Sequence, residues 1–165
     1  MTLSKLLIAN RGEIAVRIIR AAADMGISTV SIYPSDDAKS LHVHKADESI
    51  LLDGRGVAPY LDIKGIVNAD RLSGSDSIHP GYGFLAENAE FAQACHDAGI
   101  IFVGPMVETL ELFGDKVRAR DVAAENDVPV LVGSSELGSV DEANAFLESL
   151  GDGSTMILTA VAGGG

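Results

Sequence analysis

Short apolar runs alternate with longer amphipathic stretches along most of the chain. Runs of β-branched and apolar residues bounded by glycine, proline or polar residues are typical of strands, and apolar positions three to four residues apart are typical of helices. Strands are therefore predicted at residues 5–9, 28–33, 49–52, 77–79 and 100–103, and helices after residue 12 and at residues 61–72, 87–98, 107–113 and 116–125. This alternation predicts an α/β fold with an open parallel sheet and flanking helices.

The pattern starts again near residue 114. A strand at residues 129–132, a helix at 140–150 and a strand at 156–160 are predicted, which is the beginning of another β-α-β unit. We therefore expect one domain over residues 1–114 and a partial, truncated second domain over residues 115–165.

In the first predicted helix, the apolar face is defined by residues at helical spacing: Ile14, Ile18, Ala22 and Met25.

Composition restricts the class of protein and its partners. The 165 residues include 24 acidic and 12 basic side chains, a net charge of −12, and 47% hydrophobic residues. This is a globular composition, and the acid excess argues against nucleic acid or an anionic membrane as the partner. No apolar run approaches the ~20 residues of a membrane span. The single cysteine, Cys95, is predicted to lie in the core, and the chain is predicted to be cytoplasmic.

Two loops that follow predicted strands are candidates for ligand binding. In residues 8–15 the amides at the start of the helix could bind an anion, or Arg11 and Glu13 could close the turn and cap the helix. In residues 79–85, His-Pro-Gly-Tyr-Gly-Phe-Leu, two glycines around Tyr82 allow a sharp bend that brings its ring to a ligand. The alternative is a rigid loop in which Tyr82 and Phe84 pack inward and His79 is hydrogen-bonded.

Three further features are weaker. Lys116 could place a charge on a phosphate, although a lone lysine at a helix start is usually solvated. Consecutive glycines at 163–165 could wrap phosphates with their amides, or form a linker. His42 and His44 could supply two metal ligands from one side of a strand, but no third ligand has sensible spacing, so no metal site is predicted.

These stretches together resemble biotin carboxylase, the ATP-dependent component of biotin-dependent carboxylases and a member of the ATP-grasp superfamily. The resemblance runs from about residue 4 to the last residue, in the order and spacing of that family. The matching segments are residues 8–15, 41–43, 46–48, 79–88, 102–105, 108–109 and 114–116, together with Arg17 and Arg20.

The resemblance implies a fold, a reaction and cofactors. Residues 1–114 would form the Rossmann-like domain that precedes an ATP-grasp domain, and residues 115–165 the first elements of the ATP-grasp. In the family, ATP phosphorylates bicarbonate to carboxyphosphate, and the resulting CO₂ is transferred to biotin on a carrier, with Mg²⁺ bridging the phosphates. The cofactors implied for the complete enzyme are therefore ATP, Mg²⁺ and biotin. Its expected class is an ATP-dependent ligase such as an acyl-CoA carboxylase component.

The resemblance also assigns residues and partners. Lys116 would contact the nucleotide phosphates, and Gly163, Gly164 and Gly165 would begin the glycine-rich flap over them. Tyr82 and Gly83 would face the biotin pocket, and Arg20 with Asp24 would contribute to a homodimer interface. The implied partners are a biotin carboxyl carrier domain and a carboxyltransferase component.

Two departures from the family pattern bear on activity. The family usually has a phosphate-binding lysine before the glycine flap, where this chain has Thr159. Losing a charge-assisted contact of about 1.5–3 kcal/mol weakens nucleotide binding roughly ten- to a hundredfold. The chain also stops before the family's magnesium-binding and catalytic residues, so we expect no catalytic residue within it and no activity alone. A non-catalytic assembly module, or part of another ATP-grasp ligase, is the alternative.

Overall fold

The computed structural model describes residues 3–134 and 137–158. Five parallel strands form one sheet in the order β3-β2-β1-β4-β5. The strands are β1 (Lys5–Ile8), β2 (Ser28–Tyr33), β3 (Glu48–Leu51), β4 (Ser77–His79) and β5 (Ile101–Phe102). The predicted α/β class with an open parallel sheet is therefore confirmed. The positions expected to bind ATP near the end of the chain, Thr159, Gly163, Gly164 and Gly165, lie outside the described residues.

The helices that lie between β1 and β5 along the chain connect the strands and pack on both faces of the sheet, and the described residues contain seven α-helices in all. They are α1 (Gly12–Asp24), α2 (Leu41–Lys45), α3 (Ile63–Ser73), α4 (Ala89–Asp97), α5 (Val107–Gly114), α6 (Lys116–Glu125) and α7 (Val140–Ser149), with short 3₁₀ turns at Ser35–Asp37 and Ala58–Leu61. Because side chains alternate along a strand, Leu7 packs with the α3–α4 side whereas Leu6 and Ile8 pack against α1. Cys95 is fully buried in the core, as predicted.

Of the apolar face predicted for helix α1, Ala22 alone is buried, and an adjacent face of the helix packs on the sheet. The buried residues are Ala15, Val16, Ile19 and Ala22. Met25 is 72% exposed, and Ile14 and Ile18 are only partly covered. A second apolar stripe beside the buried one therefore remains at the surface.

Contacts divide the chain into two compact units, residues 1–110 and residues 111–165. In the second unit the strand predicted at residues 129–132 is wrong, because these residues are irregular. Of the strand predicted at residues 156–160, residues 156–158 are irregular and the last two residues lie outside the described residues. An extended segment needs a neighbouring strand to pair its backbone groups, and neither segment has one among these residues. The assignment of this unit as the start of an ATP-grasp domain stays a prediction.

Across residues 3–134 and 137–158, no helix has the length and apolar character needed to cross a membrane.

Candidate functional site

The sheet has a switch point between β1 and β4, where the chain changes the direction in which it adds strands. Ligands of open parallel sheets bind in the crevice beyond the carboxyl ends of strands at such a point. Asn10 follows β1 there, and residues 80–84 follow β4. The two candidate loops found in the sequence are therefore neighbours in space.

Asn10 joins the two loops. Its side chain is fully buried, and its Nδ2 donates to the carbonyl oxygens of Pro80 at 2.7 Å and Tyr82 at 3.0 Å. Its Oδ1 accepts a hydrogen bond from the Arg11 amide at 2.9 Å. Three of its hydrogen-bonding positions are thus used to fix the loop after β4 against the start of α1.

Gly81 makes this close approach possible. Its φ is +68°, and a Cβ at this position would lie 2.7 Å from Asn10 Nδ2 and 2.8 Å from Ile14 Cγ2. Its amide donates to His79 Nδ1 at 3.0 Å. Burial lowers the pKa of His79, which favours the neutral ring that this acceptor role requires.

Tyr82 projects from this rigid loop towards solvent. Its side chain is 56% exposed, and its hydroxyl donates to Glu13 Oε1 at 2.5 Å. That hydrogen bond is the main reason why the pKa of Tyr82 is raised. The loop therefore combines features of both sequence interpretations: His79 is hydrogen-bonded within it, but Tyr82 is not packed inward.

An apolar groove of about 510 Å³ runs beside Tyr82. It is formed by the exposed stripe of α1, by β1 and by the ends of β4 and β5. Polar groups reach it from Arg17, His79 and Tyr82. The apolar lining residues are Leu3, Leu6, Ile14, Ile18, Ala21, Ala22, Met25, Ile27 and Val103.

A polar cluster joins the partly exposed Arg11 to the buried Asp37, His42 and Tyr60, and no pattern in the sequence indicated it. Arg11 donates to Asp37 Oδ1 at 3.1 Å, and the Tyr60 hydroxyl donates to Asp37 Oδ2 at 2.9 Å. His42 Nε2 lies 3.5 Å from the same hydroxyl. Arg11 therefore binds Asp37 instead of capping α1, where no side-chain cap is present.

The histidine pair does not have the geometry considered from the sequence. Residues 41–45 form the short helix α2 rather than a strand, and His42 is fully buried. Burial is the largest cause of its lowered pKa. Within residues 3–134 and 137–158, no cluster of three or more histidine, cysteine or acidic residues is placed to hold a metal ion.

The remaining predicted site residues lie elsewhere in the chain. Arg20 and Asp24 are exposed on α1, one turn apart. Lys116 is exposed at the first position of α6 in the second unit. The amides at that helix start are occupied, because Asp115 Oδ1 accepts from Val117 and Arg118 at 2.9 and 3.1 Å. Lys116 therefore offers its ammonium group rather than a set of free helix amides.

The sheet order and the loop at its switch point define the first unit as a Rossmann-like α/β domain with a candidate ligand loop at the strand ends. Residues 2–110 match the family described as biotin carboxylase, N-terminal domain. The chain belongs to this family, which confirms the resemblance seen in its motifs.

Relatives and solved structures agree with this assignment. The chain is 48% identical to the pyruvate carboxylase of Staphylococcus aureus, over 99% of this chain and 14% of the relative. It is 50% identical, with a TM-score of 0.85, to a biotin carboxylase domain of a single-chain bacterial carboxylase, over 89% of this chain and 34% of that one. The biotin carboxylase domain dimer of Hydrogenobacter thermophilus 2-oxoglutarate carboxylase, in complex with MgADP, ADP and bicarbonate, shows 42% identity and a TM-score of 0.89. The match covers 92% of this chain and 34% of that domain. The chain thus spans about a seventh to a third of these proteins.

Proposed function

We propose that this chain supplies the N-terminal part of a biotin carboxylase, an ATP-dependent ligase that uses ATP and bicarbonate to carboxylate carrier-bound biotin. The observation that carries the proposal is the exposed Tyr82, held at the switch point of a domain that belongs to this family. In this proposal the chain binds and orients biotin, and the catalytic groups belong to the rest of the complete protein.

The residues around Tyr82 fit a small bicyclic ligand with a polar edge. The ring is more than half exposed, its hydroxyl is oriented by Glu13, and Gly83 leaves the adjacent backbone uncovered. An aromatic face gives apolar contact while neighbouring peptide groups supply hydrogen bonds. We therefore assign Tyr82 and Gly83 to the biotin-facing surface.

Of the residues proposed to bind ATP, Lys116 lies within the part of the chain that the structure describes, and its charge suits a nucleotide phosphate. Its exposed ammonium group can pair with phosphate oxygens as a point charge. When bound, ATP and Mg²⁺ supply the phosphoryl group and the counter-charge for its transfer. Thr159 and Gly163–Gly165 complete the proposed ATP-binding set on the basis of the family pattern alone.

Steady-state kinetics of the complete protein that contains this chain would test the biotin assignment. Tyr82→Ala is expected to raise KM for free biotin ten- to a hundredfold, because a misplaced substrate loses both contact and orientation. KM for MgATP should stay unchanged. Tyr33→Phe, which alters a tyrosine at the end of β2, is the matched control. Unchanged biotin kinetics in Tyr82→Ala would refute the assignment.

The isolated chain provides a second test. We expect no bicarbonate-dependent ATP cleavage from these 165 residues, since they span only 14% to 34% of proteins that match them. Turnover by the purified chain would refute the expectation that the catalytic groups lie outside it.

In the complete protein, replacing Thr159 by lysine is expected to tighten Mg-nucleotide binding, and equal affinities would refute the role given to this position.

The proposed partners are a biotin carboxyl carrier domain, a carboxyltransferase component and a second copy of the chain. Arg20 and Asp24 are exposed, oppositely charged and one turn apart. A twofold axis beside α1 could therefore place Arg20 of one copy next to Asp24 of the other, and the reverse. In the complete protein, Arg20→Glu is expected to shift the mass measured by light scattering towards the monomer. The control is Arg71→Glu, an equal charge reversal on α3, and equal masses for both variants would refute this interface.

A further inference from the structure

The loop after β4 ends at a residue whose backbone is unusual for its type. Phe84 has φ +43°, in the left-handed region that Gly81 and Gly83 adopt just before it. Within residues 3–134 and 137–158, Asp127 is the only other non-glycine residue with positive φ. A large aromatic residue is disfavoured in this conformation, and such outliers persist only where surrounding contacts impose them.

The contact that imposes it is an aromatic stack. The rings of Phe84 and Tyr60 lie 5.3 Å apart between centroids, with planes inclined by 4°. Tyr60 is fully buried, so Phe84 packs on a ring that is itself fixed in the core. A glycine at position 84 would relieve the backbone but would lose this contact.

Tyr60 is fixed in turn by the polar cluster behind the loop. Its hydroxyl donates to Asp37 at 2.9 Å, and the Arg11 guanidinium both pairs with Asp37 and lies 5.7 Å from the Tyr60 ring centroid. The turn after β1, the turn after β2 and the segment before α3 therefore converge on one ring. Phe84 links that ring to the candidate ligand loop.

We propose that Tyr60 and Phe84 are positioning residues for Tyr82. The stack fixes the backbone two residues beyond Tyr82, while Asn10 fixes it from the other side through the Tyr82 carbonyl. Tyr82 would then meet its ligand in a preorganised orientation rather than being ordered on binding. The inference rests on the proposed biotin-facing role of Tyr82.

Fluorine NMR of the full 165-residue chain tests the positioning directly. The chain has three tyrosines, so 3-fluorotyrosine labelling gives separate reporters at Tyr33, Tyr60 and Tyr82. In Phe84→Leu we expect the Tyr82 resonance to move towards the value of free fluorotyrosine and to narrow, as the loop gains motion. Phe84→Asn should behave alike, although asparagine tolerates positive φ, because it lacks the ring.

The matched control is Phe102→Leu. Phe102 is also a half-buried phenylalanine that packs against the same core, in an edge-to-face pair with Phe91. We expect it to leave the Tyr82 resonance unchanged, and amide spectra of α1 report whether each variant is folded. An unshifted Tyr82 resonance in folded Phe84→Leu, or an equal shift in Phe102→Leu, would overturn the positioning role.

Kinetics of the complete enzyme separate this inference from the proposed function. Phe84→Leu is expected to raise KM for biotin about tenfold and to leave KM for MgATP unchanged. If the Tyr82 resonance shifts and biotin kinetics do not, the positioning role stands and the biotin assignment fails. If the resonance does not shift, the positioning role fails whatever the kinetics show.

Discussion

Replacing Gly81 by alanine would place a methyl group where the Asn10 amide lies. The added Cβ would be 2.7 Å from Asn10 Nδ2, which is closer than real Cβ contacts, so the amide must move. It then loses its hydrogen bonds to the carbonyls of Pro80 and Tyr82, at a net cost of about 0.5–1.5 kcal/mol each. Alanine at φ +68° adds about 1–2 kcal/mol. We therefore expect Gly81→Ala to lower the free energy of unfolding by about 2–5 kcal/mol.

Gly83→Ala is the matched control for this prediction. Gly83 has nearly the same φ, +71°, but no atom lies within 4 Å of the position its Cβ would take. Only the backbone cost of about 1–2 kcal/mol should remain. The difference between the two variants, about 1–3 kcal/mol from the lost Asn10 hydrogen bonds, therefore reports the contacts of the added methyl group with Asn10 and Ile14.

Urea unfolding followed by far-UV circular dichroism is a suitable assay, because the chain has no tryptophan. A double-mutant cycle with Asn10→Ala completes the test, since removing the amide removes one of the two groups that the methyl meets and leaves Ile14 in place. The excess cost of Gly81→Ala over Gly83→Ala should then shrink. Equal costs for the two glycine variants, or full additivity with Asn10→Ala, would refute the reasoning.

Three further predictions concern other parts of the first unit. Burial raises the pKa of Asp70 to about 6, so its carboxylate destabilises the fold above that pH, by up to about 3 kcal/mol, and the cost disappears as pH falls towards 4. Asp70→Asn should therefore be more stable than the parent in urea at pH 8 but not at pH 4, and a pH-independent difference would contradict this. Asn88→Ala should cost about 1 kcal/mol in the same assay, because its Oδ1 caps α4 through the Phe91 amide at 2.7 Å, and Asp62→Ala, before α3 without such a cap, should cost less. Burial raises the pKa of Cys95 to about 12, so thiol reagents at pH 8 should label it only after unfolding, and rapid labelling of the native chain would count against its core position.

The sheet could be predicted because its central strands are buried on both faces. Such strands often appear as continuous apolar runs, as Leu6, Leu7 and Ile8 do in β1. Strands β2 and β4 have the predicted bounds, 28–33 and 77–79, although they mix apolar residues with buried Thr29, Ser31 and Ser77. The same kind of pattern led to a wrong strand prediction at residues 129–132, because their β-branched residues have no partner strand among the described residues. Strand propensity is realised only when a neighbouring strand pairs the backbone.

The candidate site was only partly predictable for a different reason. Tyr82 and Gly83 could be predicted as candidates because a tyrosine between two glycines is a local pattern that indicates a sharp bend. Contacts such as Asn10 with Pro80, or Asp37 with Tyr60, join positions 70 and 23 residues apart. An asparagine in a turn and an aspartate in a polar segment carry no mark of such partners, so these contacts depend on the topology of the sheet.

The switch point of this sheet differs from one that binds a phosphate at a helix start. Asn10 fills the space between β1 and β4, and Glu13 places a carboxylate in the first turn of α1. A negative charge there disfavours a second anion at the same amides. In the proposed function, ligand contact would therefore fall away from the helix amides, on the outer side of the loop where Tyr82 lies beside the apolar groove. This arrangement suits a neutral ring system better than a phosphate, which agrees with the proposal that the nucleotide contact of the chain is made by Lys116 in the second unit.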